Sequence, residues 1–118
     1  MNKRIAWIIP LPTAGSGGLR TIFAHAEELQ RRGCLNDFFI LAADYGTPID
    51  IREVKQNIKD WFSANVNVEM AISIPEEYDA IIATLWSTAY FANMQNIAKK
   101  IYFIQGYEPW IYPRGDDY

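Results

Sequence analysis

Residues 4–33 read RIAWIIPLPTAGSGGLRTIFAHAEELQRRG, and this stretch decides the fold. The nearly unbroken apolar run from Arg4 to Ile9 is typical of a parallel β-strand that is buried on both faces. A loop with three glycines follows at 11–18. From Leu19 the apolar residues recur every three or four positions, which predicts an amphipathic helix that ends at Gly33. The unit is therefore strand, glycine-rich loop and helix.

The rest of the chain continues this alternation of strands and helices. Further strands are predicted at 38–43, 66–71, 80–85 and 101–104, and helices at 51–62 and 88–99. Strands and helices that alternate over short connections predict an α/β fold, with a mainly parallel sheet and helices on both faces. With right-handed crossovers, residues 1–118 should form one three-layer, doubly wound, Rossmann-like domain. Ligands bind such sheets beyond the carboxyl ends of the strands. The loops that matter most are therefore 12–18, 86–88 and 105–114.

Composition limits the classes of partner. The net charge of -3 and the pI near 5.0 argue against nucleic acid as the main partner, although a small phosphorylated ligand remains compatible. The single cysteine, Cys34, excludes an internal disulfide, and nothing in the sequence calls for a metal or a cofactor. The first apolar run is too short for a secretory signal, and no stretch approaches the roughly 20 apolar residues of a membrane span. We therefore expect a cytoplasmic protein, which is compatible with peripheral contact with the inner membrane.

The glycine-rich loop is the first candidate site. Glycine lets the backbone approach a ligand closely, and the N-terminus of a helix offers free amides to an anion. A phosphate site at Gly17 and Gly18 is the favoured interpretation, and a flexible turn that needs positive φ angles is the alternative. Arg20 either holds a phosphate or is a solvated surface charge. A dinucleotide site is a weaker alternative, because its G-x-G-x-x-G fingerprint requires glycine where this chain has Arg20.

Two later segments follow predicted strands. Ser87 or Thr88 would be a natural helix N-cap, and Trp86 either stacks on a sugar or packs in the core. Residues 105–114 place an amide, a carboxylate and several aromatic rings beyond the last strand, and such groups bind hydroxyl-rich sugars. Glu108 is the carboxylate of that stretch and the candidate base. The alternative for this stretch is a turn whose aromatic side chains cover the edge of the sheet.

Several of these segments resemble a known family. The segments IAWIIP at 5–10, SGGLRTI at 16–22 and ELQRRG at 28–33 resemble the opening of retaining glycosyltransferases with the GT-B fold. The segments ATLWSTAY at 83–90 and YFIQGYEP at 102–109 are more specific, and they are similar to the WsaF-like rhamnosyltransferases of family 4. The likeness runs over nearly the whole chain.

The resemblance implies the transfer of a deoxysugar, typically rhamnose from dTDP-rhamnose, onto a surface polysaccharide. The glycine-rich loop of such enzymes reaches the donor diphosphate, which maps onto Gly17 and Gly18, with Arg20 beside them. The segment after the last strand faces the cleft. The candidate acceptor or sugar contacts are Trp86, Ser87, Gln105, Tyr107 and Glu108. The family commonly has aspartate where this chain has Gly106, so the catalytic residue stays open, with Glu108 as the candidate.

The resemblance also sets the expected partners, which are a carbohydrate acceptor and a nucleotide sugar. In that architecture the N-terminal half mainly holds the acceptor, and most nucleotide contacts belong to a C-terminal domain that we do not find in this sequence. We therefore expect this chain to be the acceptor-side half of a glycosyltransferase, inactive alone and dependent on a C-terminal domain or partner chain. Whether the chain is itself an enzyme stays open. A non-catalytic module that binds saccharide or nucleotide is the alternative. Uncovered aromatic side chains would favour self-association.

Overall fold

The computed structural model describes residues 3–12, 14–15, 17–41, 49–97 and 99–103 of the chain. Five strands and three helices alternate along these residues. The strands are β1 (Arg4–Ile9), β2 (Leu35–Ile40), β3 (Asn67–Met70), β4 (Ala80–Ala83) and β5 (Lys100–Tyr102), and the helices are α1 (Gly17–Arg31), α2 (Ile51–Phe62) and α3 (Trp86–Asn93). Within these ranges, no helix has the length and apolar character needed to cross a membrane.

The strands form one parallel sheet in the order β3-β2-β1-β4-β5. The chain moves outward from β1 to β3, crosses back to the other side of β1, and continues from β4 to β5. Helices α1 and α2 cover one face of the sheet, and α3 covers the other. The predicted three-layer, doubly wound, Rossmann-like fold is therefore confirmed. Its topological switch point lies between β1 and β4.

Strand β1 is buried on both faces because its side chains alternate between two cores. The odd-numbered apolar side chains pack against α1 and α2, and the even-numbered ones pack on the α3 side. Trp7 is 1% exposed and stacks on Phe38, with the ring centroids 5.8 Å apart. Its indole Nε1 donates a hydrogen bond to Asn36 Oδ1 at 2.9 Å. The large ring therefore enters the core with its polar atom satisfied.

Strand β2 begins earlier than the apolar run predicts. It starts at Leu35 rather than Phe38 and ends at Ile40. The two polar residues at its start belong to the strand because the fold supplies their partners. The Asn36 amide donates to the carbonyl of Ala26 at 3.0 Å, and Asp37 Oδ1 accepts from the side chain of Asn67 at 3.0 Å.

Helix α3 is shorter than the predicted helix at 88–99, and it ends at Asn93. The side chain of Gln95 ties this end to the connection between β3 and β4. Its Nε2 donates to the carbonyl of Phe91 at 3.2 Å, and its Oε1 accepts from the backbone N–H of Ile74 at 3.0 Å. The helix therefore ends at the point where the Gln95 side chain bonds to the connection between β3 and β4.

The prediction that Ser87 or Thr88 is the N-cap of α3 is wrong, because Leu85 occupies that position. Leucine has no polar side chain, and the fully buried Thr88 hydroxyl acts from inside the first turn instead. It accepts from the backbone N–H groups of Thr84 and Leu85, both at 2.9 Å, and donates to the Leu85 carbonyl at 2.7 Å. The Thr84 hydroxyl donates to the carbonyl of Ile8 at 2.7 Å. These bonds join the ends of β4 and β1 at the switch point.

A charged network joins β1, β2 and the segment before β4 at the opposite, amino edge of the sheet. The buried Tyr78 donates its hydroxyl to Asp37 Oδ2 at 2.5 Å. The guanidinium of Arg4 lies 4.6 Å from the centroid of the Tyr78 ring and pairs with Glu77 at 2.7 Å and with Asp37 at 3.6 Å. Burial, together with the hydrogen bond to Asp37, raises the pKa of Tyr78.

The β5 side of the domain leaves apolar side chains exposed. Ile101 and Tyr102 on β5 are 40% and 37% exposed. Tyr90 on α3 is 67% exposed, and Met94 at the end of that helix is 75% exposed. The self-association that the sequence analysis expects from uncovered aromatic side chains stays a prediction.

Replacing Thr88 by valine should destabilise the domain by about 2–4 kcal/mol. Valine keeps the shape but leaves the backbone N–H groups of Thr84 and Leu85 without their acceptor, and each such loss costs about 1–3 kcal/mol. Thr21→Val is the matched control, because the exposed Thr21 hydroxyl bonds to the Gly17 carbonyl within α1. We expect that control to change the free energy of unfolding by less than about 0.5 kcal/mol. Urea unfolding followed by circular dichroism measures both, and equal effects would contradict the role of Thr88.

Tyr78 should make stability depend on alkaline pH. Because the folded state raises the pKa of the phenol, its contribution is fully present below the unfolded value of about 10 and is lost as pH rises toward the folded value. We expect Tyr78→Phe to lower the free energy of unfolding by about 1–3 kcal/mol near pH 8, through loss of the bond to Asp37. The difference between the two proteins should shrink above about pH 10. A difference that urea unfolding finds constant from about pH 8 to 11 would disprove the linkage.

Candidate functional site

Three helix N-termini gather at the carboxyl edge of the sheet. Strands β1, β2 and β4 end at this edge, and each is followed along the chain by a helix, α1, α2 and α3 respectively. Ligands of doubly wound sheets bind outside the carboxyl ends of the strands, at the switch point. This edge is therefore the place to look for a functional site.

In the glycine-rich loop, the backbone conformation requires glycine at Gly15 but not at Gly17. Gly15 has φ of 80°, a left-handed conformation that side chains disfavour. Gly17 begins α1 and is not among the residues with positive φ. Among the described residues, no atom lies within 4 Å of a Cβ atom built on Gly17. The flexible-turn interpretation therefore accounts for Gly15, whereas neither φ nor packing against the described residues accounts for Gly17.

The N-terminus of α1 also differs in charge from that of α2. The first turn of α1 contains no acidic residue, and it carries Arg20. At α2, the Asp50 side chain caps the helix by accepting from the backbone N–H of Arg52 at 2.9 Å, and Glu53 adds a second carboxylate in the first turn. A helix N-terminus attracts anions unless its own carboxylates already neutralise it. An anionic ligand at this edge should therefore bind at α1 rather than at α2.

The guanidinium of Arg20 lies against the last turn of α2. Its centre is 5.6 Å from the centroid of the Phe62 ring, and Nη2 is 3.5 Å from the carbonyl oxygen of Trp61. The C-terminus of a helix favours a cation, so this position has a structural reason. The side chain remains exposed, and contact with a phosphate stays a prediction.

A cavity of about 270 Å³ opens at the same edge, and we call it the α2 cavity. Its lining comes from the loop after β1 and from α2 with the residues just before it: Leu11, Pro12, Ile49, Asp50, Glu53, Val54, Asn57 and Trp61. No sequence motif predicted this cavity. The available signal was a row of side chains four residues apart on α2, formed by Glu53, Asn57 and Trp61.

A larger groove, of about 730 Å³, lies at the amino edge of the sheet. It runs between α1, the start of β2 and the segment after α2. One of its polar groups, the Asn36 amide, is already bonded to Trp7 and to the carbonyl of Ala26. The groove is on the opposite side of the sheet from the switch point, so its size alone does not make it the functional site.

The structure brings together part of the predicted site. Gly17, Gly18 and Arg20 all lie in the first turn of α1 at the carboxyl edge. Trp86 and Ser87 open α3 at the same edge, but their side chains lie outside what the structure describes. Gln105, Tyr107 and Glu108 fall in 104–118, outside the described residues, so their roles stay predictions. Within the described ranges, no group of three or more His, Cys, Asp or Glu side chains could hold a metal ion.

Comparison with known proteins does not assign the chain to a family. No protein-family model matches it. No curated protein is significantly similar to it.

The two loop glycines should respond differently to alanine. Gly15→Ala places a side chain in the left-handed region and should lower the free energy of unfolding by about 1–2 kcal/mol. Gly17→Ala meets no neighbouring atom and replaces a poor helix former, so it should be neutral or stabilising by up to about 1 kcal/mol. Urea unfolding of both variants tests this difference. A destabilised Gly17→Ala would show that folding, rather than a ligand, requires glycine there.

Proposed function

We propose that this chain is the acceptor-side domain of a retaining glycosyltransferase that transfers a sugar, rhamnose from dTDP-rhamnose in the first instance, onto a surface polysaccharide. The proposal rests on the resemblance of 83–90 and 102–109 to WsaF-like rhamnosyltransferases. One structural observation supports it above all others. Helix α1 begins at Gly17 at the carboxyl edge of the sheet, although neither φ nor packing against the described residues requires glycine there.

The chemistry of sugar transfer explains why such a helix terminus is useful. When the bond between the sugar and the diphosphate breaks, negative charge builds up on the departing phosphate oxygen. Backbone amides at a helix N-terminus stabilise that charge without moving, because they already point toward it. The amides of Gly17 and Gly18 would serve this purpose, and the absence of acidic residues in the first turn of α1 keeps the terminus attractive to an anion.

A division of roles between two domains follows from the proposal. This chain supplies the diphosphate-facing loop and the acceptor surface, and a C-terminal domain or partner chain supplies most contacts to the nucleotide. Binding of dTDP by this chain alone should therefore be weak, and turnover should require the partner. The proposed setting is the cytoplasm, with peripheral contact with the inner membrane.

Titration of the ¹⁵N-labelled chain with dTDP tests the proposal. We expect the backbone amide signals of Gly17 and Gly18 to shift, and Gly17→Leu to weaken binding about tenfold, or ~1.4 kcal/mol, because leucine fills the space beside the helix terminus. Gly17→Ala should weaken binding less. Thr21→Val, one turn further along α1, is the control and should bind like the parent.

Three parallel titrations separate the alternatives. Binding of NAD without binding of dTDP would contradict the glycosyltransferase assignment in favour of a dinucleotide site. Equal binding of dTMP and dTDP would contradict a role for the glycine-rich loop in holding the second phosphate, and would favour a simple nucleotide-binding module. Binding of dTDP-rhamnose and dTDP with shifts at Gly17 supports the proposal.

A further inference from the structure

We infer that the α2 cavity is a subsite for one neutral sugar residue of the acceptor. This inference rests on the proposed function, since a domain that receives sugar residues needs a surface that holds the end of the growing chain. The size of the cavity, the polar side chains of the row on α2, the charge of the lining and its position each support the inference.

The size of the α2 cavity fits one small ligand. Ligand pockets usually have volumes of about 300–1,000 Å³, and this cavity, at about 270 Å³, lies just below that range. A cavity of this size suits a single ring rather than a nucleotide sugar or an oligosaccharide. Its apolar lining includes Leu11, Pro12 and Val54, which exclude water from one side of a ligand.

The row on α2 offers complementary polar groups. Within the described ranges, the structure records no hydrogen-bond partner for the carboxylate of Glu53, the amide of Asn57 or the indole N–H of Trp61. A carboxylate accepts, an indole donates, and an amide does both, so together they match the alternating donor and acceptor character of sugar hydroxyl groups. The aromatic ring of Trp61 adds an apolar surface for the C–H face of a pyranose.

The side chain of Trp61 packs against its neighbours. Its ring is half-buried and meets the Phe62 ring edge to face, with the centroids 6.5 Å apart. Its backbone carbonyl lies 3.5 Å from the guanidinium of Arg20. A preformed aromatic surface costs little ordering when a ligand binds. The Trp61 ring packs against the hydrophobic core and also borders the α2 cavity, so it can serve both roles.

The charge of the lining selects against phosphorylated ligands. Two carboxylates, Asp50 and Glu53, line the α2 cavity, and the described residues of its lining include no lysine or arginine. The nearby cations are engaged elsewhere, with Arg52 3.7 Å from the Asp50 carboxylate and Arg20 3.5 Å from the backbone carbonyl of Trp61. A phosphate would be repelled at this position, whereas the first turn of α1 carries Arg20 and no carboxylate. The two ends of the loop after β1 therefore favour ligands of different charge. The end at Gly17 attracts an anion, and the end at Leu11 and Pro12 borders the subsite for a neutral ligand.

A titration with simple glycosides tests the inference. The probes are methyl α-rhamnoside and methyl α-glucoside as neutral ligands, and glucose 1-phosphate as the anionic one. The readout is the indole N–H signal of Trp61 in ¹H–¹⁵N spectra, assigned by its loss in Trp61→Phe. We expect at least one neutral glycoside to shift this signal with a Kd on the order of 1 mM, and glucose 1-phosphate to bind at least about fivefold more weakly.

Variants on α2 locate the effect and test the charge selection. Asn57→Leu removes the amide and should weaken glycoside binding at least about fivefold. Glu53→Gln keeps the shape of the side chain and removes one negative charge. It should therefore reduce the ratio between the Kd for glucose 1-phosphate and the Kd for the neutral glycoside. Lys59→Ala is the matched control, because Lys59 is an exposed residue of the same helix that lines neither cavity. It should bind the glycosides like the parent.

The outcomes distinguish this inference from the proposed function. If no neutral glycoside shifts Trp61 at about 50 mM, well above typical weak binding, or if glucose 1-phosphate binds as tightly, the subsite is overturned. If dTDP still shifts the amide signal of Gly17 in the same sample, the proposed role of the glycine-rich loop in diphosphate binding holds although the sugar subsite does not. Glycoside shifts at Trp61 with no response to dTDP would support a saccharide site and remove the donor role of the glycine-rich loop.

Discussion

The burial of β1 at the centre of the sheet is the constraint on which the rest of the structure depends. A strand with helices on both faces must supply apolar side chains in both directions, and the free polar groups at its ends must find partners in the protein. The Thr84 hydroxyl bonds to the Ile8 carbonyl at one end. At the other end, the backbone N–H of Arg4 donates to Asp79 at 2.7 Å. Both partners come from the segment around β4, so this segment is fixed to β1 by polar bonds as well as by packing.

The fold could be predicted because its signals are local. A buried apolar run and a helical repeat of apolar residues identify β1, α1 and α2 without knowledge of the rest of the chain. The start of β2 could not be predicted in this way, because Asn36 belongs to the strand through bonds to Trp7 and Ala26. The end of α3 depends on Gln95, which bonds to a residue in a different part of the chain. Tertiary partners thus decided the boundaries that local patterns placed wrongly.

The candidate site likewise has one part that a local sequence pattern predicts and another that depends on tertiary contacts. The glycines before α1 were visible as a motif, and the structure adds that Gly15 serves conformation whereas Gly17 does not. The α2 cavity was invisible to motif reasoning, because a polar row on a helix ordinarily indicates a solvated face. Only the loop after β1, folded against that row, makes a cavity of it. The roles of Glu108 and its neighbours depend on residues outside the described ranges.

The bond between Thr84 and Ile8 has a consequence for how deeply a ligand can enter. At the switch point of a doubly wound sheet, the ligand is received in the crevice outside the carboxyl ends of the two central strands, where the connections run to opposite faces of the sheet. Here the Thr84 hydroxyl bridges the ends of β1 and β4. A ligand at this edge therefore stays above the ends of the two strands and does not enter between them. If the proposed sugar transfer takes place at this edge, the acceptor must compete with water for the activated sugar, and a second surface that closes over the site would favour transfer over hydrolysis.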